Sequence, residues 1–141
     1  MALTLEAAKR IIDVAMAHGR EAGWKPLSVV VLDAGGHPIA FERGNGASPG
    51  RFEIARAKAY GSIMLGMGGK AQMARAESQA YFMAAVNGAF GGQVMPVPGG
   101  VLVRDGAGAV IGAVGVTGDT SDNDAAAALA GIEAAGLAGE A

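Results

Sequence analysis

Apolar and polar positions alternate along this chain in two distinct periods, and the switches between them outline the elements. From Leu5 to Ala22, apolar residues recur at Ala8, Ile11, Ile12, Ala15 and Met16, the spacing of one helix face. Thr4 stands where an N-cap is expected, Glu6 suits the positive helix start, and Gly23 suits the residue past the end. Leu27–Asp33 is then almost continuously apolar, as expected of a central strand covered on both faces. Pro38–Arg43 alternates, with Ile39 and Phe41 on one side and Ala40 and Glu42 on the other. Between them, Gly35 and Gly36 predict a hairpin turn that ends in His37.

Ser48 and Pro49 read as cap and first-turn proline of a second helix, about Pro49 to Leu65, with Phe52, Ala55, Ala59 and Ile63 on one face. Lys70 to Val86 reads as one further helix, and Asn87–Gly92 as a glycine-punctuated loop. Val94–Pro98 is expected to be extended, because residues preceding proline avoid the helical region. A second hairpin follows, Val101–Asp105 and Ala109–Thr117 around Gly106-Ala107-Gly108. Ser121 or Asp122 is the expected cap of a last helix running from Asn123 to about Leu137, with a frayed tail at Ala138–Ala141. Hairpins separated by helices predict a single α+β domain over residues 1–141, an antiparallel sheet with helices packed on it.

Composition narrows the function classes. The chain has no cysteine, which excludes disulfides, thiolate metal sites and a cysteine nucleophile. A net charge of −2 without a basic stripe argues against nucleic acid as a partner. No apolar run reaches the ~20 residues of a membrane span, and the first residues lack the basic, then apolar, character of a signal peptide, so a cytoplasmic protein is expected. Charged residues are only 17% of the chain and 24 residues are glycine, a surface thin in charge that suggests burial against other copies in a homo-oligomer.

Five segments occur in order: the Asp-x-Gly-Gly-His turn within Leu27–Arg43, Ile54-Ala55-Arg56-Ala57-Lys58-Ala59, Pro98-Gly99-Gly100, Ile111–Gly118, and the acidic helix start Asp122-Asn123-Asp124. In register they make the chain, from Leu3 to about Leu137, resemble the GlcG/HbpS family, which also supplies the C-terminal domain of PduO-type proteins. The resemblance implies a profilin-like fold with a five-stranded antiparallel sheet and helices on its faces. It further implies a homo-oligomer, an octamer or a smaller even number, and haem as a possible cofactor. Some haem-binding relatives are similar except for a cysteine near the start of the second helix; here Phe52 or a neighbour stands in that place.

Against this background His37 is the candidate iron ligand, since a neutral imidazole can ligate iron or move a proton near pH 7. Arg43 and Lys58 are candidate partners for haem propionates or the carboxylate of a small acid. Gly99 and Gly100 are candidate backbone contacts to a ligand. Met64, Met67 or Met95 are candidates for a sixth iron ligand. His18, at the border of the first helix face, reads as a structural histidine. The alternative is a cofactor-independent enzyme acting on a small carboxylated metabolite, with His37 or Glu53 as general acid/base and Lys58 on the carboxylate. A scaffold oligomer without ligand chemistry is the second alternative. Asp119, Asp122 and Asp124 lack the pattern of a calcium loop and read as helix-capping residues.

Overall fold

The two strand periods sort side chains onto opposite faces of one sheet. In a computed structural model, which describes all 141 residues, α1 (Leu5–Ala22) leads into the hairpin β1 (Ser28–Asp33) and β2 (Pro38–Arg43). Helices α2 (Arg51–Leu65), α3 (Gly69–Ser78) and α4 (Ala80–Ala89) follow. The second hairpin, β3 (Gly100–Arg104) and β4 (Val110–Thr117), precedes α5 (Ser121–Ala134) and a final strand β5 (Ala138–Glu140). The five strands form one antiparallel sheet in the order β2-β1-β4-β3-β5. The hairpins join through β1 and β4, with Ser28 opposite Thr117 and Asp33 opposite Gly112.

Val29, Val31, Val101, Val103, Val114 and Val116 face α1 and α5, where Ile11, Ile12, Ala128 and Ile132 complete the larger core. Their neighbours Val30, Leu32, Leu102 and Ala113 face α2, against Ala55 and Ala59. Helix α2 buries Ala55, Lys58, Ala59 and Ser62, a stripe at helical spacing made of small residues and one lysine. Small residues matter because the helix backbone lies almost on the sheet. A methyl group on Gly115 would stand 2.0 Å from the carbonyl oxygen of Ala55, and one on Gly100 would stand 2.2 Å from that of Lys58.

Several boundaries differ from the sequence expectation, each for a local reason. The single helix expected over Lys70–Val86 is two helices hinged at Gln79 (φ −139°, ψ 61°). There Ser78 Oγ donates to the Arg75 carbonyl, a side-chain bond to the backbone that competes with helix continuation. Helix α4 then runs on through Asn87 and Gly88, residues expected in a loop. Thr120, rather than Ser121 or Asp122, caps α5, its Oγ1 accepting from Asn123 N–H at 3.2 Å. Helix α2 starts at Arg51, with Gly50 and not Ser48 at the cap. Val94–Pro98 is outside the sheet; it runs beside α2, where Met95 N–H donates to the Ala57 carbonyl at 3.3 Å. The tail expected to fray supplies the fifth strand, clamped by the Arg104 guanidinium on the Glu140 carboxylate at 2.6 Å.

Replacing Gly100 by alanine should lift α2 from the sheet and lower stability by about 3 kcal/mol, because overpacked cores lose 1–3 kcal/mol and occasionally more. Gly88→Ala, where a methyl group meets nothing within 4 Å, should stabilise by about 0.5–1 kcal/mol. Urea denaturation of the pair checks this; an unchanged midpoint in Gly100→Ala would show that the helix is not seated as described.

Candidate functional site

The two hairpin turns share one construction. In Asp33-Ala34-Gly35-Gly36-His37, Asp33 Oδ1 accepts the N–H groups of Gly35 and His37, both at 2.9 Å. In Asp105-Gly106-Ala107-Gly108-Ala109, Asp105 Oδ1 accepts those of Ala107 and Ala109, at 2.9 and 3.0 Å. The fourth residue of each is a glycine at φ +84°, a conformation other residues rarely adopt. The His37 N–H lowers the Asp33 pKa below its ordinary 3.8, helped by Gly35 N–H and the His37 ring; the Ala109 N–H does the same for Asp105, helped by Ala107 N–H and the amino terminus. Since alanine fills the fifth place in one turn, the turn itself does not require a histidine in the other.

The His37 side chain is 80% exposed, and its Nδ1 lies 3.3 Å from Asp33 Oδ1. A carboxylate beside one ring nitrogen orients the imidazole and leaves the other nitrogen turned outward, the usual support of a metal-ligating histidine. Beside the turn, Leu3, Ile39, Val110 and Ile111 line a largely apolar cleft of about 430 Å³. An accessible, carboxylate-backed imidazole is a donor that could ligate a haem iron or move a proton.

The other candidates are placed elsewhere. Arg43 ends β2, five residues beyond the strand start next to His37, so about 17 Å of strand separates them. Lys58 is buried: its Nζ donates to Asp124 Oδ2 at 3.0 Å and to the Val116 carbonyl at 3.1 Å. Gly99 and Gly100 lie against this lysine, and a methyl group on Gly99 would stand 3.0 Å from its Nζ. Asp124 Oδ1 accepts from Asp119 N–H at 3.0 Å, so both carboxylate oxygens are bonded. Glu53 is exposed and lines a cleft of about 300 Å³ with Phe52, Arg56 and Gln93. The fold therefore gathers Lys58, Gly99 and Gly100, and leaves His37, Arg43 and Glu53 in three separate places.

The family model described as haem degrading protein HbpS-like matches residues 3–133. The chain belongs to the HbpS-like family. No curated protein matches it. The solved structure of HbpS is similar with a TM-score of 0.82 at 27% identity, covering 94% of this chain and 89% of that one. The PduOC:heme complex is similar with a TM-score of 0.86 at 20% identity, covering 97% of each chain. Klebsiella pneumoniae protein ORFY is similar at 0.81 and 24%, covering 94% of this chain and 90% of its own.

Two residues of this HbpS-like chain carry roles that sequence reasoning did not assign. Asp124 read as a capping residue and is instead the buried partner of Lys58, 66 positions away; no local pattern signals such a pairing. Asp33, within the quoted turn motif, was given no role of its own. Its signal was present, since Asp105 occupies the same position before the second glycine turn.

Removing either member of the buried pair, by Lys58→Met or Asp124→Leu, should cost about 3–5 kcal/mol, whereas the double variant Lys58→Met/Asp124→Leu should cost far less than the sum. Chemical denaturation of the four proteins in a double-mutant cycle measures this, and additive losses would refute the coupling. Asp105, whose folded pKa lies below the unfolded value, stabilises the fold at pH values above its unfolded pKa. That contribution disappears as pH falls through the folded pKa. Asp105→Asn should therefore be less stable than the native protein at neutral pH, with the gap closing below about pH 4. A gap that stays constant into strong acid would contradict the assignment.

Proposed function

We propose that this HbpS-like protein binds haem, and that His37 is the residue that would hold its iron. The observation that carries the reading is the pair of matched turns: both adjoin the apolar cleft at this end of the sheet, and of the two only the Asp33 turn carries an imidazole, which its construction does not require. Family membership and the haem named in the PduOC complex support it from outside the chain.

When bound, haem supplies a redox-active iron that takes nitrogen, sulfur or small gaseous ligands. The chain's own residues have simpler tasks. Asp33 holds the His37 ring and favours the tautomer whose Nε2 faces outward. Ile39 and Val110, both partly exposed, would offer apolar surface to a porphyrin. Lys58 takes no part in holding a propionate, because Asp124 already meets its charge. Arg43 is exposed and has no ion-pair partner, but it lies at the far end of β2 and takes no part in a haem held at His37. An iron ligand this open to water suits exchange of haem, in transfer or sensing, better than a permanently held redox centre.

Titration with hemin should give a Soret shift that saturates at about one haem per chain or per pair of chains. His37→Ala should abolish the shifted band, and Asp33→Asn should weaken binding by about 10–100-fold, the usual effect of removing the group that orients a ligating histidine. A native Soret spectrum in His37→Ala would defeat the proposal.

A further inference from the structure

The opposite end of the sheet holds a groove that neither His37 nor the buried ion pair explains. It opens between the last turn of α1 and the end of β2, and its volume is about 420 Å³. Its floor is Leu27, with Gly19 and Gly44 pressed onto it. A methyl group on Gly19 would stand 2.6 Å from Leu27 Cδ1, and one on Gly44 would stand 2.5 Å from the Leu27 carbonyl oxygen. One wall is Met16 and the indole of Trp24. The Trp24 main chain is fixed where its backbone N–H donates to the Gly19 carbonyl at 3.0 Å, and the His18 ring meets the indole edge-on at 5.2 Å between centroids.

Arg20, Lys25 and Arg43 line the groove, against a single carboxylate, Glu42. Asp119 lies near Lys25, accepting its backbone N–H at 3.0 Å, but Arg20 and Arg43 have no ion-pair partner. The concentration of positive charge stands out on a chain of net charge −2. Even with Glu42 and Asp119 nearby, Arg20 and Arg43 are left without an ion-pair partner, and an anion placed between them would relieve their mutual repulsion. The helix end does not supply the counter-charge, since Gly23 and Trp24 N–H groups already occupy the carbonyls of Arg20 and Gly19.

We infer that this groove is a binding site for a small aromatic carboxylate. The ring lies against Trp24 and Met16, and the carboxylate is held by the guanidinium groups of Arg20 and Arg43, whose planar forks match its two oxygens. The volume is that of a small-molecule pocket, which spans roughly 300–1,000 Å³. The site is separate from the His37 turn and stands whether or not haem binds there.

Trp24 is the only tryptophan in the chain, so its fluorescence reports this groove alone. Titration with 4-nitrobenzoate, an efficient indole quencher, should give saturable quenching. The neutral analogue 4-nitrobenzyl alcohol should bind at least about tenfold more weakly, as should 4-nitrobenzoate to Arg20→Gln/Arg43→Gln, since charge-assisted hydrogen bonds are about twice as strong as neutral ones. Arg20→Lys/Arg43→Lys keeps the charge and should recover part of the affinity, which separates loss of charge from loss of fold. His37→Ala should bind as the native protein does. Quenching that never saturates, equal affinity for the alcohol, or native affinity in Arg20→Gln/Arg43→Gln would each overturn the assignment. Loss of binding in His37→Ala would show that the two ends are one site.

Discussion

The arrangement depends on how closely α2 can approach the sheet. Gly100 and Gly115 remove the side chains that would hold the helix away, and Ala55 and Ala59 do the same from the helix side. At that distance a lysine on the buried stripe cannot reach water. Lys58 passes beside Gly99 instead, and ends on the Val116 carbonyl and the carboxylate of Asp124 at the start of α5. One ion pair thereby links helices on opposite faces of the sheet. Its net contribution to stability need not be large, because desolvating two charges offsets much of their attraction. What it does is fix position: α2, β4 and the first turn of α5 are held in one relation.

That constraint accounts for what was legible in the sequence. Helix α1 carries a strong periodic signal, β2 alternates, and β1, β3 and β4 read as short apolar runs because both of their faces are covered. Helices α2 and α5 were legible from their bounding residues and small-residue faces. The family resemblance rested on the glycine, lysine and aspartate positions that build the α2 seat and the Asp33 turn. The break at Gln79 was not legible, since the sequence on either side is equally helical and the competing bond comes from the Ser78 side chain. Strand β5 was not legible either. Three residues, Ala138 to Glu140, carry no period, and their order comes from pairing with β3 and from the distant Arg104.

The candidate site was read as a list of residue types, and tertiary structure divided it. Lysine, arginine and histidine each have chemistry suited to an acidic ligand, but sequence alone does not say which cations are already neutralised. Lys58 is, and Arg43 is not. Nor does it say that His37 and Arg43, six residues apart, sit at opposite ends of a strand. Conversely, Arg20, Trp24 and Arg43 share one groove although they come from a helix, a connection and a strand.

The two edges of the sheet also constrain how copies of the chain can associate. At one edge, β5 is only three residues long and is crossed by the Arg104–Glu140 ion pair. At the other, β2 begins with Pro38, which has no N–H to offer, and ends in the charged pair Glu42 and Arg43. Neither edge is a template for a continuous intermolecular sheet. The broad exposed surfaces of the chain are helical, among them the uncharged helix α4 with Tyr81 at 74% exposure. Any contact between copies would therefore be made by helices, because strand addition is disfavoured at both edges.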